Sequence, residues 1–272
     1  MSRTLLVITT YNQSDYTKLC FDSLKNIEDD IDVLVIDDCS TDDTLLLCKE
    51  YDHEVIAKKE GKGLTHSWNL GYEAFKNRWG VHGEHDNYDY LILANNDILI
   101  PKGAISELKE TFNKWHFSMI VPMSTDYGVG HNKEQSITNY YNNIDPSNPN
   151  DYQKVQDKIL DIKKITKDAN NLYMCDPIRM KMFNGFFFMM NRNIIKYEQN
   201  ETELFQTKNI MTKNEDEFNW SKLITNNDFA ALCKTSFIFH YKGVSTFEVF
   251  KNYNKIANDI PEWRRQREAM SG

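Results

Sequence analysis

Apolar and polar positions over the first 125 residues switch repeatedly between a strand period and a helix period. Residues 4–9 (TLLVIT) form a short β-rich run, and residues 15–26 follow with Tyr16, Leu19, Cys20, Ser23 and Leu24 on one helical face. Residues 32–38 (DVLVIDD) are almost continuous Val, Leu and Ile between acids, which predicts a strand buried on both faces of a parallel sheet. Ser40, with an acid three positions on at Asp43, predicts the cap of a helix over 44–51. A short strand at 53–57 comes next, then a helix ending at Asn77 with Leu64, Trp68, Gly71, Tyr72 and Phe75 at helical spacing. A strand at 89–94, a helix at 101–115 opened by Pro101 and a strand at 118–123 complete this half. Such alternation predicts an α/β/α sandwich on a mainly parallel central sheet.

From residue 124 the pattern loosens. Residues 124–182 are rich in Asn, Asp, Lys and Tyr, hold Pro146 and Pro149, and contain one helical segment at 152–165, which predicts an insertion or a partner-binding, acceptor-side subregion rather than a separate domain. Residues 183–191 (FNGFFFMMN) predict a very apolar strand, 216–223 a helix, 236–240 a last strand and 253–270 a basic helix. The expected organisation is one unit over 1–272, divided at 1–123, 124–182, 183–250 and 251–272.

Composition narrows the function classes. With 272 residues and 40% hydrophobic content the chain can bury one sizeable core, and no apolar run approaches bilayer length. The run near the N-terminus is too short for a signal-peptide core. Five cysteines, Cys20, Cys39, Cys48, Cys175 and Cys233, without a C-x-x-C pair fit reduced thiols in a cytoplasmic protein and imply no structural zinc. A net charge of -8 argues against nucleic acid as a partner.

Three strand ends carry chemistry. The run LILANNDILI (residues 91–100) breaks once, at Asn95-Asn96-Asp97, so these polar groups are expected at a cleft, with Asp97 a candidate anchor for a hard divalent cation. Thr9, Thr10, Tyr11 and Asn12 end the first strand and suit a flat heterocycle. Asp37 and Asp38 end the second, where a carboxylate can accept the ring N–H of uracil or thymine. Each set is also good turn and cap chemistry when taken singly.

In order and spacing, VITTYNQSDY, VLVIDDCSTDDT, the segment from Gly61 to Gly71 and LANND resemble the family 2 glycosyltransferases of the GT-A fold. The resemblance implies a Rossmann-like α/β/α sandwich whose 1–123 half binds a nucleotide-sugar. In it Thr9, Tyr11 and Asp38 contact the base, Lys62 and Asn69 lie near the base or diphosphate, and Asp97 is the last acid of the D-x-D metal motif. Asn95 and Asn96 fill the other two positions of that motif, and Asn95 replaces the usual acid that contacts ribose and sugar. Trp68 stands where the family often has Arg or Ala. In the second half, FNGFFF, NEDEF and HYKG look like the family's glycine-led strand, acceptor-side acids and late histidine. The resemblance assigns Asp216 as the base that deprotonates the acceptor, Glu215 as its alternative, and His240 as a metal ligand. The implied reaction is inverting transfer of a sugar from a UDP- or dTDP-sugar to a glycan, glycoprotein or lipid-linked sugar, with Mn²⁺ or Mg²⁺.

Two other readings stay open: a sugar nucleotidyltransferase, which would want a Gly-rich basic loop after the first strand, and a nucleotide- or glycan-binding module without activity. The loop around His82, Glu84, His85 and Asp86 has metal-ligand residue types without helical spacing, and Gly128-Val129-Gly130 lacks the third glycine of a dinucleotide fingerprint.

Overall fold

The computed structural model describes residues 2–77, 88–125, 135–171, 175–179, 183–197, 204–205 and 230–241. The chain opens β1 (Thr4–Thr10), α1 (Ser14–Leu24), β2 (Ile31–Asp37), α2 (Thr44–Glu50), β3 (Glu54–Ala57), α3 (Leu64–Asn77) and β4 (Tyr90–Asn95). It continues through β5 (Ile98–Leu99), α4 (Ala104–Lys114), β6 (Met119–Ser124), α5 (Tyr152–Asp168), β7 (Ile178–Arg179), β8 (Phe187–Asn191) and β9 (Ala230–His240). The strands form one sheet in the order β3-β2-β1-β4-β8-β6-β9-β5, with β7 paired to β9. Strands β3, β2, β1 and β4 are mutually parallel, as are β6 and β9, while β8 runs antiparallel to both its neighbours.

Alternate residues of the central strands feed opposite faces. Leu5 and Val7 of β1, Leu34 and Ile36 of β2 and Leu91 and Leu93 of β4 pack with Trp68, Tyr72 and Phe75 of α3. Leu6, Ile8, Val35 and Ile92 pack on the other face with Cys20 and Phe21 of α1, Cys48 of α2 and Leu108 of α4. Both faces are covered, which is why these strands read as unbroken apolar runs. Gly71 lets α3 lie close on β1: a Cβ there would stand 2.5 Å from Val7 Cγ1. Ile137, Tyr141, Ile144, Val155 and Ile159, all within 124–182, are buried in the same core as α3.

Some local expectations are corrected. Ser40 does not cap α2; Asp43 holds the cap position without a side-chain bond, Thr44 N donates to Asp42 Oδ1 at 3.0 Å, and Ser40 Oγ instead accepts from Asn12 N at 2.8 Å. The last strand begins at Ala230, six residues earlier than the pattern suggests, because its pairing with β6 slips between Cys233 and Phe237. Gln156 stitches that irregularity, donating to Thr235 O and accepting from Phe237 N, each at 2.8 Å. The strand expected from Phe183 starts at Phe187. The segments expected as helices at 216–223 and 253–270 lie outside the described residues.

Candidate active site

From β1 the chain turns to β2 and β3 on one side, and β4 then returns to the other side of β1, so connections diverge at the carboxyl ends of β1 and β4. Such a divergence leaves a crevice at the strand ends. The register places Thr9 opposite Asn95 and Thr10 opposite Asp37, which gathers the three polar strand ends along one edge.

The loops that leave β1 and β2 are locked together. Asn12, Gln13 and Cys39 hold left-handed backbone (φ 55°, 66° and 69°), a costly conformation for residues with a Cβ. Compensation comes from Asn12: its N–H donates to Ser40 Oγ, and its Oδ1 accepts from Thr41 N at 2.8 Å. Ser14 N donates to Asp42 Oδ2 at 2.9 Å. Thr9 Oγ1 donates to Ala94 O at 3.2 Å, and Thr10 Oγ1 donates to Asp37 Oδ1 at 3.0 Å, so both hydroxyl protons are spent inside the scaffold. Tyr11 is half-buried at the edge.

Asp38 fastens the loop that leads into α3. Its Oδ1 accepts from Lys62 N and its Oδ2 from Gly63 N, both at 2.8 Å, and Lys58 Nζ pairs with Oδ1. Gly63 sits at φ 83°, which suits a residue lacking a Cβ. The Lys58 side chain is only 6% exposed and also donates to Ser67 Oγ at 2.8 Å. Lys58 was missed in the sequence, where AKKEGK reads as a solvated stretch; its only signal is its place one residue after β3. The Lys62 side chain is exposed and bridges Glu60 at 2.9 Å.

At the end of β4 the three polar residues divide their work. Asn96 is buried, and its Nδ2 donates to Thr17 Oγ1 at 2.8 Å and Asn12 O at 3.2 Å, tying β4 to the β1–α1 turn. Asn95 Oδ1 and Asp97 Oδ1 are buried without a hydrogen-bond partner among the described residues. Asp97 Oδ1 lies 3.2 Å from His240 Nε2. This approach is built in: β5 pairs with β9, setting Ile98 opposite His240, and Tyr241 N donates to Asp97 O at 3.0 Å. The imidazole stacks on Phe186 (centroids 4.7 Å, planes 13° apart), and Thr125 Oγ1 holds the His240 carbonyl at 2.9 Å.

A buried carboxylate oxygen lacking a hydrogen bond is costly unless something else satisfies it. Its separation from the imidazole nitrogen is close to the roughly 3 Å between adjacent ligands of an octahedral cation bound at about 2.1 Å. Asp97 and His240 therefore fit a small divalent cation. No group of three or more His, Cys, Asp and Glu side chains is assembled among the described residues. The Asp97 charge, after burial itself, helps push the buried Cys20 thiol far up from its ordinary value.

The Asn69 amide is bonded within the core. Its Nδ2 donates to Phe205 O at 2.8 Å and its Oδ1 accepts from Phe205 N at 2.9 Å and Leu204 N at 3.2 Å, tying α3 to residues 204–205. Trp68 packs beside it on Phe188 and Phe205. Asp216 and Glu215 lie outside the described residues.

Among curated proteins no sequence match is found. Solved structures do match. TarS of S. aureus (residues 1–349, in complex with UDP-GlcNAc) superposes with TM-score 0.55 at 14% identity, over 87% of this chain and 58% of that one. The mannosyltransferase PcManGT of Pyrobaculum calidifontis, in complex with GDP-Man and Mn²⁺, superposes with TM-score 0.54 at 14% identity, over 91% of this chain and 60% of that one. The chain thus spans about 60% of the length of these structures. Identities this low establish the shared fold, a mixed α/β architecture with a mostly parallel central sheet. The model of the Glycosyl transferase family 2 matches residues 5–198, more than two thirds of the sequence, including β1, β2 and β4 with their polar ends. The chain belongs to glycosyl transferase family 2.

Proposed function

We propose that the protein transfers a sugar, with inversion, from a nucleoside-diphosphate sugar to a carbohydrate hydroxyl, using a divalent cation. The observation that carries this reading is the buried pair of Asp97 Oδ1 and His240 Nε2, 3.2 Å apart just beyond the carboxyl end of β4. Asp97 and His240 would hold Mn²⁺ or Mg²⁺. When bound, the ion supplies positive charge that stabilises the leaving diphosphate. Thr9, Thr10 and Tyr11 form the floor under the base, Asp38 accepts a ring N–H, and the exposed Lys62 ammonium lies on the same loop for the diphosphate. Asp216, or Glu215, takes the proton of the attacking hydroxyl as the glycosidic bond forms opposite the departing diphosphate. The relatives bear UDP-GlcNAc in one case and GDP-Man in the other; uracil and guanine both offer a ring N–H to a carboxylate. UDP or dTDP is the donor nucleotide read here.

A second reading, a nucleotide-binding module without turnover, draws on Asn95, an amide where the family usually has an acid. Calorimetry with UDP, dTDP and GDP with and without Mn²⁺, followed by donor turnover in wild type and Asp216→Asn, separates them. Metal-dependent UDP binding with turnover lost in Asp216→Asn supports the transferase. Binding without turnover supports the module, and no nucleotide binding defeats both.

A further inference from the structure

We infer that Lys58 is a positioning residue that fixes the base-reading carboxylate of Asp38 and thereby sets the nucleobase preference of the donor site; this rests on the nucleotide site proposed above. Lys58 does not reach for the ligand itself. Its ammonium offers three protons, and three acceptors surround it: Asp38 Oδ1, Ser67 Oγ at 2.8 Å and Gly63 O at 3.4 Å. With 6% of the side chain exposed, none of that charge is presented to a diphosphate.

Its effect runs through Asp38. A carboxylate has about four acceptor positions. Lys62 N, Gly63 N and Lys58 Nζ occupy three, all from the 58–63 segment, and fix the carboxylate plane from one side. One acceptor position stays for a ligand, enough for the single ring N–H of uracil, thymine or guanine. Cytosine presents a lone pair at the equivalent ring nitrogen and meets repulsion from the same oxygen. Without Lys58 the two amide bonds remain, but the anion loses its counter-charge and its third anchor.

The full chain is tested as wild type, Lys58→Met, Lys58→Arg and Ser67→Ala. Calorimetry with UDP and CDP in Mn²⁺ is run beside thermal melts that confirm folding at the assay temperature. Wild type prefers UDP. Lys58→Met loses about tenfold in UDP affinity, its UDP-to-CDP ratio falls toward one, and Lys58→Arg restores most of the ratio. With a UDP-sugar donor, KM rises in Lys58→Met while kcat stays near wild type, a split that a loosened scaffold alone does not give. Should Lys58→Met fail to fold, Ser67→Ala carries the test, with a smaller shift of the ratio in the same direction. A folded Lys58→Met whose UDP affinity and ratio stay within about twofold of wild type overturns the inference. So does an unaltered ratio in Ser67→Ala when Lys58→Met is unfolded. A wild type that binds neither nucleotide defeats the nucleotide site, and Lys58 with it. One that binds UDP and CDP equally leaves the site standing and overturns the role of Lys58.

Discussion

Two carboxylates stand at the carboxyl ends of neighbouring parts of the same sheet, and they are treated in opposite ways. Asp38, after β2, is surrounded by donors that the chain itself supplies: two backbone N–H groups at 2.8 Å and the buried ammonium of Lys58. Asp97, after β4, is more deeply buried, yet its Oδ1 faces an imidazole nitrogen at 3.2 Å and takes no hydrogen bond among the described residues. An acid with three of its acceptor positions filled by the chain holds a loop in place and keeps one position for a ligand. The other, held rigid by β5–β9 pairing and by Phe186 behind its histidine, keeps an acceptor oxygen that no hydrogen bond among the described residues fills.

The difference makes stability respond in opposite senses when the two acids are removed. Asp97→Ala should abolish metal-dependent nucleotide binding, a loss on the order of a hundredfold or more by calorimetry with Mn²⁺, while leaving the metal-free melting temperature unchanged or raised. Unchanged affinity would sink the metal assignment. Asp38→Ala should cost both binding and stability, removing the base contact and stranding the buried Lys58 charge, which lowers stability by about 3–5 kcal/mol in denaturant titration. If Asp38→Ala instead melts like wild type, the fastening role is wrong and the two acids are alike. Mn²⁺ at about a hundred times its Kd should stabilise wild type by about 2.7 kcal/mol and Asp97→Ala not at all. Gly71→Ala, away from both acids, controls for general loosening: the Val7 contact makes it cost about 1–3 kcal/mol with metal-induced stabilisation intact.

Much of this was legible in the sequence because both faces of the central strands are covered, which writes β1, β2 and β4 as apolar runs with abrupt polar ends. The position of Asp97 follows from the resumption of apolar residues after it, since Ile98, Leu99 and Ile100 are buried as well. What was not legible is where polar side chains point. Spacing places Asn69 on α3, but only the tertiary fold reveals that its amide turns to Leu204 and Phe205. Lys58 hides in a charged stretch because burial of a lysine depends on an acid twenty residues earlier in the chain. The early start of β9 is masked by Lys234, Thr235 and Ser236, polar residues made tolerable at the sheet irregularity by Gln156 and by Tyr141, whose hydroxyl donates to Lys234 O at 3.2 Å.

A histidine at the opposite end of the sheet tests whether an unpartnered buried atom by itself marks a ligand site. His53 precedes β3, and its Nε2, like Asp97 Oδ1, is buried without a hydrogen-bond partner among the described residues. Its neighbours are the rings of Phe21, at 4.6 Å edge-on, and Tyr51 at 6.0 Å. Burial lowers its pKa below the ordinary value, with Asp52 opposing weakly. A lowered value in the folded state means that, between the folded and unfolded pKa, the unfolded chain binds more protons, so stability rises with pH through that window and falls as the solution is acidified below about 6.5. His53→Phe should flatten this part of the stability–pH curve, a small effect, while Mn²⁺-induced stabilisation stays at its wild-type size. If His53→Phe instead reduced the response to Mn²⁺, an orphaned atom alone would suffice to bind the ion. The distinction between the two ends of the sheet would then fail, because it requires a carboxylate and an imidazole held face to face at a strand's carboxyl end.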